Sequence, residues 1–155
     1  RQLLSLLPPD AKILFDLGSG AGFHGMVLAI LRPDLDVYLV ESDSKKCSFL
    51  AAVSRETNTP VNILNERIDS LAPDVVPDIV TARALAALDM LLAYCLPWAQ
   101  KNPGLVMVFP KGRKAPEEIA QAQKKYSFEI TEKPSVTEPE SVILVISGLC
   151  IKTET

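Results

Sequence analysis

The residues from Phe15 to Gly25 read FDLGSGAGFHG, so an acid and four glycines follow directly on an apolar run. A carboxylate binds ammonium or hydroxyl groups through charge-assisted hydrogen bonds. Glycines let the backbone approach a ligand closely and adopt conformations that other residues avoid. A second acid, Glu41, ends the next apolar stretch, DVYLVE. This combination is typical of a loop that binds a nucleoside-containing cofactor.

One alignment of this loop matches the dinucleotide pattern G-x-G-x-x-G. Gly20, Gly22 and Gly25 supply the glycines, and Glu41 follows at about the 20-residue distance of the ribose-binding acid. In that pattern the pyrophosphate binds at the N-terminus of the following helix. This alternative predicts an oxidoreductase of the NAD type.

A second alignment starts at Asp16 and matches h-h-D-h-G-x-G-x-G, the pattern of S-adenosylmethionine methyltransferases. Here Asp16 meets the ammonium group of the cofactor directly or through water, and Gly18 and Gly20 let the backbone approach its methionine part. Glu41 accepts hydrogen bonds from the two ribose hydroxyls. Because the dinucleotide alignment gives Asp16 no function, the sequence favours the methyltransferase alignment.

The remaining sequence predicts the elements that hold this loop. Apolar runs predict strands at 12–17, 36–41, 61–65, 78–82, 104–110, 128–131 and 141–146, and helices at 26–31, 45–56, 85–98 and 116–125. Alternating strands and helices indicate an α/β fold with a mostly parallel seven-stranded sheet and helices on both faces. The last two strands read as a hairpin, which places an antiparallel strand at one edge.

Further chemically active residues follow other strands of this sheet, where ligands of such folds bind. Ile68 and Asp69 come after strand three, where an adenine would lie, and Arg83 ends strand four. The run KGRK from Lys111 to Lys114 follows strand five. These cations fit a polyanionic substrate, although a surface salt bridge is the alternative for Arg83 and a solvated charge run is the alternative for Lys111 to Lys114.

Length and composition limit the function further. The 155 residues fit one domain covering 1–155, and the net charge of −3 argues against a protein that coats nucleic acid. No apolar run reaches the ~18 residues that span a membrane. Cys47, Cys95 and Cys150 form no C-x-x-C pair and His24 is the single histidine, so we expect buried, reduced thiols in a cytoplasmic protein and no metal site.

Five segments together give the chain a family resemblance: DLGSGAGFHG, LVESDSKKCSFL, RID at 67–69, VTARALA at 80–86 and PKGR at 110–113. In these it resembles the bacterial 16S ribosomal RNA guanine-N7 methyltransferases, also named glucose-inhibited division protein B. The resemblance implies a Rossmann-like class I S-adenosylmethionine methyltransferase fold. It also implies methyl transfer to N7 of a single guanosine, guanosine 527, in 16S ribosomal RNA or the small ribosomal subunit, and we expect a monomer.

Site residues follow from the same resemblance. It implies that Gly18 and Phe23 contact the cofactor, that Ile68 and Asp69 hold its adenosyl end, that Arg83 contacts the cofactor or the active site, and that Lys111 faces the substrate. Two residues depart from the family pattern: His24 replaces a proline, and Pro110 replaces a leucine. The family has an N-terminal helical region, of which RQLLSLLPP resembles the tail. A dinucleotide-dependent oxidoreductase and a non-catalytic RNA-binding module are the alternatives.

Overall fold

The computed structural model describes residues 5–18, 24–68, 75–83, 86–136 and 140–152. Strands and helices alternate along this part of the chain, as the apolar pattern predicts. The elements are β1 (Ile13–Leu17), α1 (His24–Leu31), β2 (Asp36–Val40), α2 (Ser44–Glu56), β3 (Asn62–Leu64), β4 (Ile79–Ala82), α3 (Leu88–Lys101), β5 (Val106–Lys111), α4 (Ala115–Ala122), β6 (Tyr126–Pro134) and β7 (Val142–Ile151).

The strands form one sheet in the order β3-β2-β1-β4-β5-β7-β6. The first five strands pair in parallel, whereas β7 pairs antiparallel with both β5 and β6. This confirms a mostly parallel seven-stranded sheet that ends in an antiparallel hairpin. Because β7 returns between β5 and β6, the strand that runs against the others is second from the edge.

Helices cover both faces of the sheet, also as predicted. Neighbouring residues of a strand point to opposite faces, so Leu14 packs in the cluster with α1 and α2, and Phe15 packs in the cluster with α3 and α4. The ring of Trp98, from α3, meets Phe15 edge-on with ring centroids 5.2 Å apart. Burial on both faces explains why these strands read as continuous apolar runs.

Several element boundaries differ from the prediction. Helix α3 begins at Leu88, after Ala87 in extended conformation, and continues to Lys101. The hairpin strands are longer than predicted because the antiparallel ladder between them continues to Pro134 of β6 and Ile151 of β7. Three residues, Ser42, Asp43 and Ser44, are candidate N-caps for α2, and Asp43 is the one that accepts from the N–H groups of the first turn.

All three cysteines are free thiols. Cys47 and Cys95 are buried as expected, but the expectation was wrong for Cys150, which lies exposed on β7 near the end of the sheet ladder. Among the described residues, no helix has the length and apolar character needed to cross a membrane.

Candidate cofactor and substrate site

The four charged site residues that the structure describes lie at one edge of the sheet. Strands β2, β1, β4 and β5 are parallel neighbours, so their carboxyl ends meet there. Asp16 lies within β1, Glu41 directly follows β2, Arg83 directly follows β4, and Lys111 is the last residue of β5. Gly20, Phe23 and Asp69 lie outside the described residues.

The carboxylate of Asp16 is buried and links three elements. Its Oδ1 accepts a hydrogen bond of 2.7 Å from the hydroxyl of Thr81 on β4. Its Oδ2 accepts one of 3.1 Å from the backbone N–H of Gly25, in the first turn of α1. Asp16 therefore fixes the start of α1 relative to β1 and β4. A contact of Asp16 with the cofactor stays a prediction.

Gly18 and Gly25 each have a different structural reason for being glycine. Gly18 has φ 70°, in the left-handed region that favours glycine, and its N–H donates to the carbonyl of Val40 at 2.8 Å. A Cβ at Gly25 would lie 2.5 Å from Asp16 Oδ2 and 2.5 Å from Leu39 Cδ2. Gly18 thus turns the chain at the end of β1, and Gly25 lets α1 lie directly against the sheet.

We expect Thr81→Val to lower the free energy of unfolding by about 1.5 kcal/mol, because it keeps the side-chain shape but removes a hydrogen bond to a buried carboxylate. Urea denaturation measures this loss. Thr81→Ser keeps the hydroxyl and serves as the matched control, so a serine variant as unstable as the valine variant would show that the hydrogen bond to Asp16 is not the cause.

Glu41 is an acid held in place at the end of β2. Its residue is only 8% exposed, and Oε2 accepts a 2.9 Å hydrogen bond from the N–H of Asp43. The backbone of Glu41 is fixed as well. Its N–H donates to the carbonyl of Leu64, and its own carbonyl accepts a 3.2 Å hydrogen bond from the side-chain amide nitrogen of Asn65. Such a preordered carboxylate suits a ligand that presents hydroxyl groups.

Cys47 lies beside this acid, with its Sγ donating to the carbonyl of Glu41 at 3.2 Å. Burial raises the pKa of the Cys47 thiol, and the negative charges of Glu41 and Asp43 raise that pKa further. The thiolate is the nucleophilic form of cysteine, so this environment argues against covalent catalysis by Cys47.

Ile68 and Arg83 occupy the same edge in different environments. Ile68 follows β3 and is half-buried against the core cluster that contains Phe15. Arg83 is exposed, and within the described part of the chain its side chain makes no hydrogen bond or ion pair.

The basic run after β5 divides into three environments. Lys111 is buried, and its ammonium is 2.6 Å from the carbonyl of Ala86 and 3.0 Å from Glu118 Oε1. Arg113 is exposed and donates to Glu140 at 2.6 Å. Lys114 is exposed at the N-terminus of α4. A substrate-facing role for Lys111 stays a prediction, and it would require the ammonium to leave both partners.

Two functional contacts in this region, those of Thr81 and Glu118, were missed at the level of the sequence. Thr81 interrupts the apolar strand IVTA, and a buried hydroxyl needs a hydrogen-bond partner, which is a usable signal. Glu118 lies in the first turn of α4, a position that acids favour in any helix. Its partners lie 7 residues away at Lys111 and 30 residues away at Leu88, and no local pattern predicts the second.

The described residues fit an adenosyl cofactor better than a pyrophosphate. At this edge Gly18 has the left-handed backbone conformation, and such a turn suits the amino-acid part of the cofactor. Glu41 is a buried acid, which suits the ribose hydroxyls. The N–H of Gly25, at the start of α1, donates to Asp16 and is not free for a phosphate. A negative carboxylate at that helix end also disfavours a second anion.

Comparison with known proteins gives a consistent result. A family model described as GidB, rRNA small subunit methyltransferase G, matches residues 2–143. The chain is 46% identical over 143 residues to the ribosomal RNA small subunit methyltransferase G of Paramagnetospirillum magneticum. That alignment covers 92% of this chain and 68% of the relative, so the chain spans about two thirds of the relative's length.

Solved structures share the fold at low sequence identity. The PH0226 protein from Pyrococcus horikoshii OT3 superimposes with a TM-score of 0.74 at 11% identity, over 95% of this chain and 86% of that one. A SAM-dependent O-methyltransferase from Thermotoga maritima gives a TM-score of 0.67 at 14% identity, over 99% of this chain and 65% of that one. The predicted Rossmann-like class I methyltransferase fold is confirmed.

Proposed function

Because this chain belongs to the rRNA small subunit methyltransferase G family, we propose that it transfers a methyl group to N7 of one guanosine, guanosine 527, of 16S ribosomal RNA. Membership of the family makes it an rRNA methyltransferase with S-adenosylmethionine as cofactor. The observation that carries the proposal is the turn at Gly18 beside the buried acid Glu41, at the carboxyl ends of β1 and β2. We also propose that residues 1–155 form a single domain that acts as a monomer in the cytoplasm.

The cofactor would be held by residues from the ends of four strands, β1 to β4. Glu41 would accept hydrogen bonds from the ribose hydroxyls, and Ile68 and Asp69 would hold the adenosyl end. Gly18, Gly20 and Phe23 would line the methionine part, with Asp16 behind the loop and Arg83 beside it. The cofactor supplies an electrophilic methyl group, and the protein supplies its placement.

Methylation at guanine N7 makes few demands on protein acid–base chemistry. N7 carries a lone pair and no proton, so no general base has to remove one. Holding the two reactants in line can contribute up to about 7–11 kcal/mol of barrier reduction. Among the described residues of this edge, the carboxylates of Asp16 and Glu41 are held by hydrogen bonds. The thiol of Cys47 has a raised pKa, so it is not a nucleophile. Positioning of the guanine is therefore the task that the chain has to perform.

The RNA would meet a local basic surface on a protein that is acidic overall. Arg83 follows β4, and Arg113 and Lys114 follow β5, the next strand of the sheet. All three are exposed. Such a surface attracts phosphates near the cofactor without giving the whole protein affinity for RNA.

Replacing Arg113 or Lys114 with alanine is expected to weaken binding of small-subunit RNA while leaving S-adenosylhomocysteine binding intact. Each lost phosphate contact lowers the slope of log affinity against log salt by about 0.7–0.9. Fluorescence titration at several salt concentrations measures the slope. Lys12→Ala is the matched control, because Lys12 is exposed at the opposite edge, directly before β1. Slopes unchanged in both patch variants would move the RNA interface elsewhere.

The proposed function is tested in two steps. Calorimetry with S-adenosylhomocysteine and NAD in parallel decides between the two cofactor classes. Small-subunit RNA is then incubated with the protein and S-adenosylmethionine, and N7-methylguanosine is located by borohydride and aniline cleavage. We expect S-adenosylhomocysteine binding and a single cleavage site. Binding of NAD alone would indicate the oxidoreductase, and RNA binding without either cofactor would indicate the non-catalytic module.

A further inference from the structure

Asn65 binds the loop that follows Glu41 from the end of a neighbouring strand. It directly follows β3, which pairs with β2. Its side-chain amide nitrogen lies 3.1 Å from the carbonyl of Ser42 and 3.2 Å from that of Glu41, and its amide oxygen lies 3.1 Å from the hydroxyl of Ser44. Because carbonyls can only accept hydrogen bonds, the amide nitrogen faces them and the amide oxygen accepts from Ser44.

One peptide unit connects Asn65 to the carboxylate of Glu41. The carbonyl of Ser42 and the N–H of Asp43 belong to the same peptide group, which is planar. This group accepts from Asn65 through its carbonyl and donates to Glu41 Oε2 at 2.9 Å through its N–H. Hydrogen bonds in such a chain polarise and strengthen each other. Asn65 therefore acts on the direction of the carboxylate through a single rigid group.

The carbonyl of Glu41 is held by donors from two further elements. Asn65 approaches it from the end of β3 at 3.2 Å, and the thiol of Cys47 approaches it from α2, also at 3.2 Å. A carbonyl oxygen has two lone pairs, so it can accept both hydrogen bonds. Asn65 therefore contributes to the placement of both the backbone and the carboxylate of Glu41.

We propose that Asn65 is a positioning residue that orients Glu41 towards the ribose hydroxyls, so that the site selects a ribonucleoside cofactor. The role of the ribose rests on the proposed function. Asn65 also lies three residues before Ile68, the proposed contact of the adenosyl end, so it joins the segment that would bind the ribose to the segment that would bind the base. Asn65 is exposed, and its replacement therefore leaves no buried cavity.

The first test compares Asn65→Ala with Asn62→Ala as the matched control. Asn62 is the first residue of β3, and its amide also binds β2, at Asp36 Oδ1 (2.7 Å) and at the carbonyl of Val37 (3.3 Å). These contacts lie at the opposite end of the strand pair from Glu41. We expect the dissociation constant of S-adenosylhomocysteine, measured by calorimetry, to rise roughly 3- to 10-fold in Asn65→Ala and to stay unchanged in Asn62→Ala. Equal rises in both variants would overturn the inference.

The 2′-deoxy analogue of S-adenosylhomocysteine tests whether the effect concerns the ribose. The ratio of its dissociation constant to that of S-adenosylhomocysteine measures recognition of the 2′-hydroxyl. This ratio should lie above 1 in the unaltered protein and in Asn62→Ala, and fall towards 1 in Asn65→Ala and Glu41→Ala. A general loss of stability would weaken both ligands equally and leave the ratio unchanged. A ratio near 1 in the unaltered protein, or an unchanged ratio in Asn65→Ala, would overturn the inference.

A double variant shows whether Asn65 acts through Glu41. Adding Asn65→Ala to Glu41→Ala should change the dissociation constant by less than about 2-fold, whereas the effects of independent residues would multiply. Asn65→Asp keeps the side-chain shape and an acceptor for Ser44 but cannot donate to the two carbonyls, so it should bind at least as weakly as Asn65→Ala. Multiplied effects in the double variant would make Asn65 a direct ligand contact, and normal affinity in Asn65→Asp would remove its donor role.

Hydrogen exchange supplies a readout that does not depend on the ligand. In Asn65→Ala the amide of Asp43 should exchange faster, relative to the central strands, than in the unaltered protein and in Asn62→Ala. If the unaltered protein binds no S-adenosylhomocysteine, the proposed function fails, and this measurement still decides whether Asn65 holds the loop beside Glu41. Unchanged exchange at Asp43 would overturn the inference.

Discussion

Replacing Gly25 with alanine is expected to lower the free energy of unfolding by about 3 kcal/mol, the upper range for overpacking of a core. The new Cβ would lie within 2.7 Å of Asp16 Oδ2, Asp16 Cβ and Leu39 Cδ2, so α1 or the strand beneath it must move. At this chain length the loss corresponds to a fall in melting temperature of roughly 6–12 °C, which calorimetry measures. Because Asp16 and Gly25 lie on either side of the proposed cofactor-binding segment in the sequence, S-adenosylhomocysteine binding should weaken as well.

Gly112→Ala provides the matched control for this substitution. A Cβ at Gly112 would have nothing within 4 Å, and this residue has no positive φ. The same change of residue type should therefore leave both the melting temperature and cofactor affinity nearly unaltered. Equal effects of the two substitutions would show that close packing of α1 on the sheet is not the reason for Gly25.

Removing the side chain of Glu41 is expected to cost about 1.5–3 kcal/mol of cofactor binding, because the ribose hydroxyls lose a charged acceptor. In Glu41→Ala the dissociation constant of S-adenosylhomocysteine should rise roughly 10- to 150-fold, as measured by calorimetry. Glu41→Gln retains an oxygen that can accept from the N–H of Asp43, so it should show a smaller rise and an unchanged melting temperature without ligand.

Asp43→Asn is the control for charge alone. Asp43 is two residues from Glu41 and caps α2 with an oxygen that asparagine also provides. The Asp43→Asn substitution removes one negative charge from the same region and leaves Glu41 in place. Normal cofactor affinity in Glu41→Ala, or an equal loss in Asp43→Asn, would remove the ribose-binding role from Glu41.

The two sets of variants separate stability from ligand binding. Gly25→Ala acts on the packing beneath the loop, so both quantities should change together. Glu41→Gln acts on the proposed acceptor of the ribose hydroxyls, so affinity should change alone. Thr81→Val belongs with Gly25→Ala, since the hydroxyl that it removes donates to the same carboxylate of Asp16.

The sequence by itself determined the layer arrangement and the sheet edge at which the candidate site residues lie. Apolar runs such as ILFDL and DVYLV, separated by helical segments, predict strands buried on both faces of a parallel sheet, and that arrangement is observed. Parallel strands bring their carboxyl ends to one edge. Residues that follow different strands, Glu41 and Arg83 among them, therefore lie at that edge whatever the details of packing.

Only the tertiary structure decided what each charged group at this edge contacts. Asp16 lies one residue before the end of β1 and Arg83 directly follows β4, but the carboxylate is turned inward to Thr81 and Gly25 while the guanidinium is exposed. Lys111 and Lys114 belong to one basic run, yet the first is buried on Glu118 and the second is exposed. The partners come from other strands and helices, so the direction of each side chain depends on long-range packing, which local residue patterns do not encode.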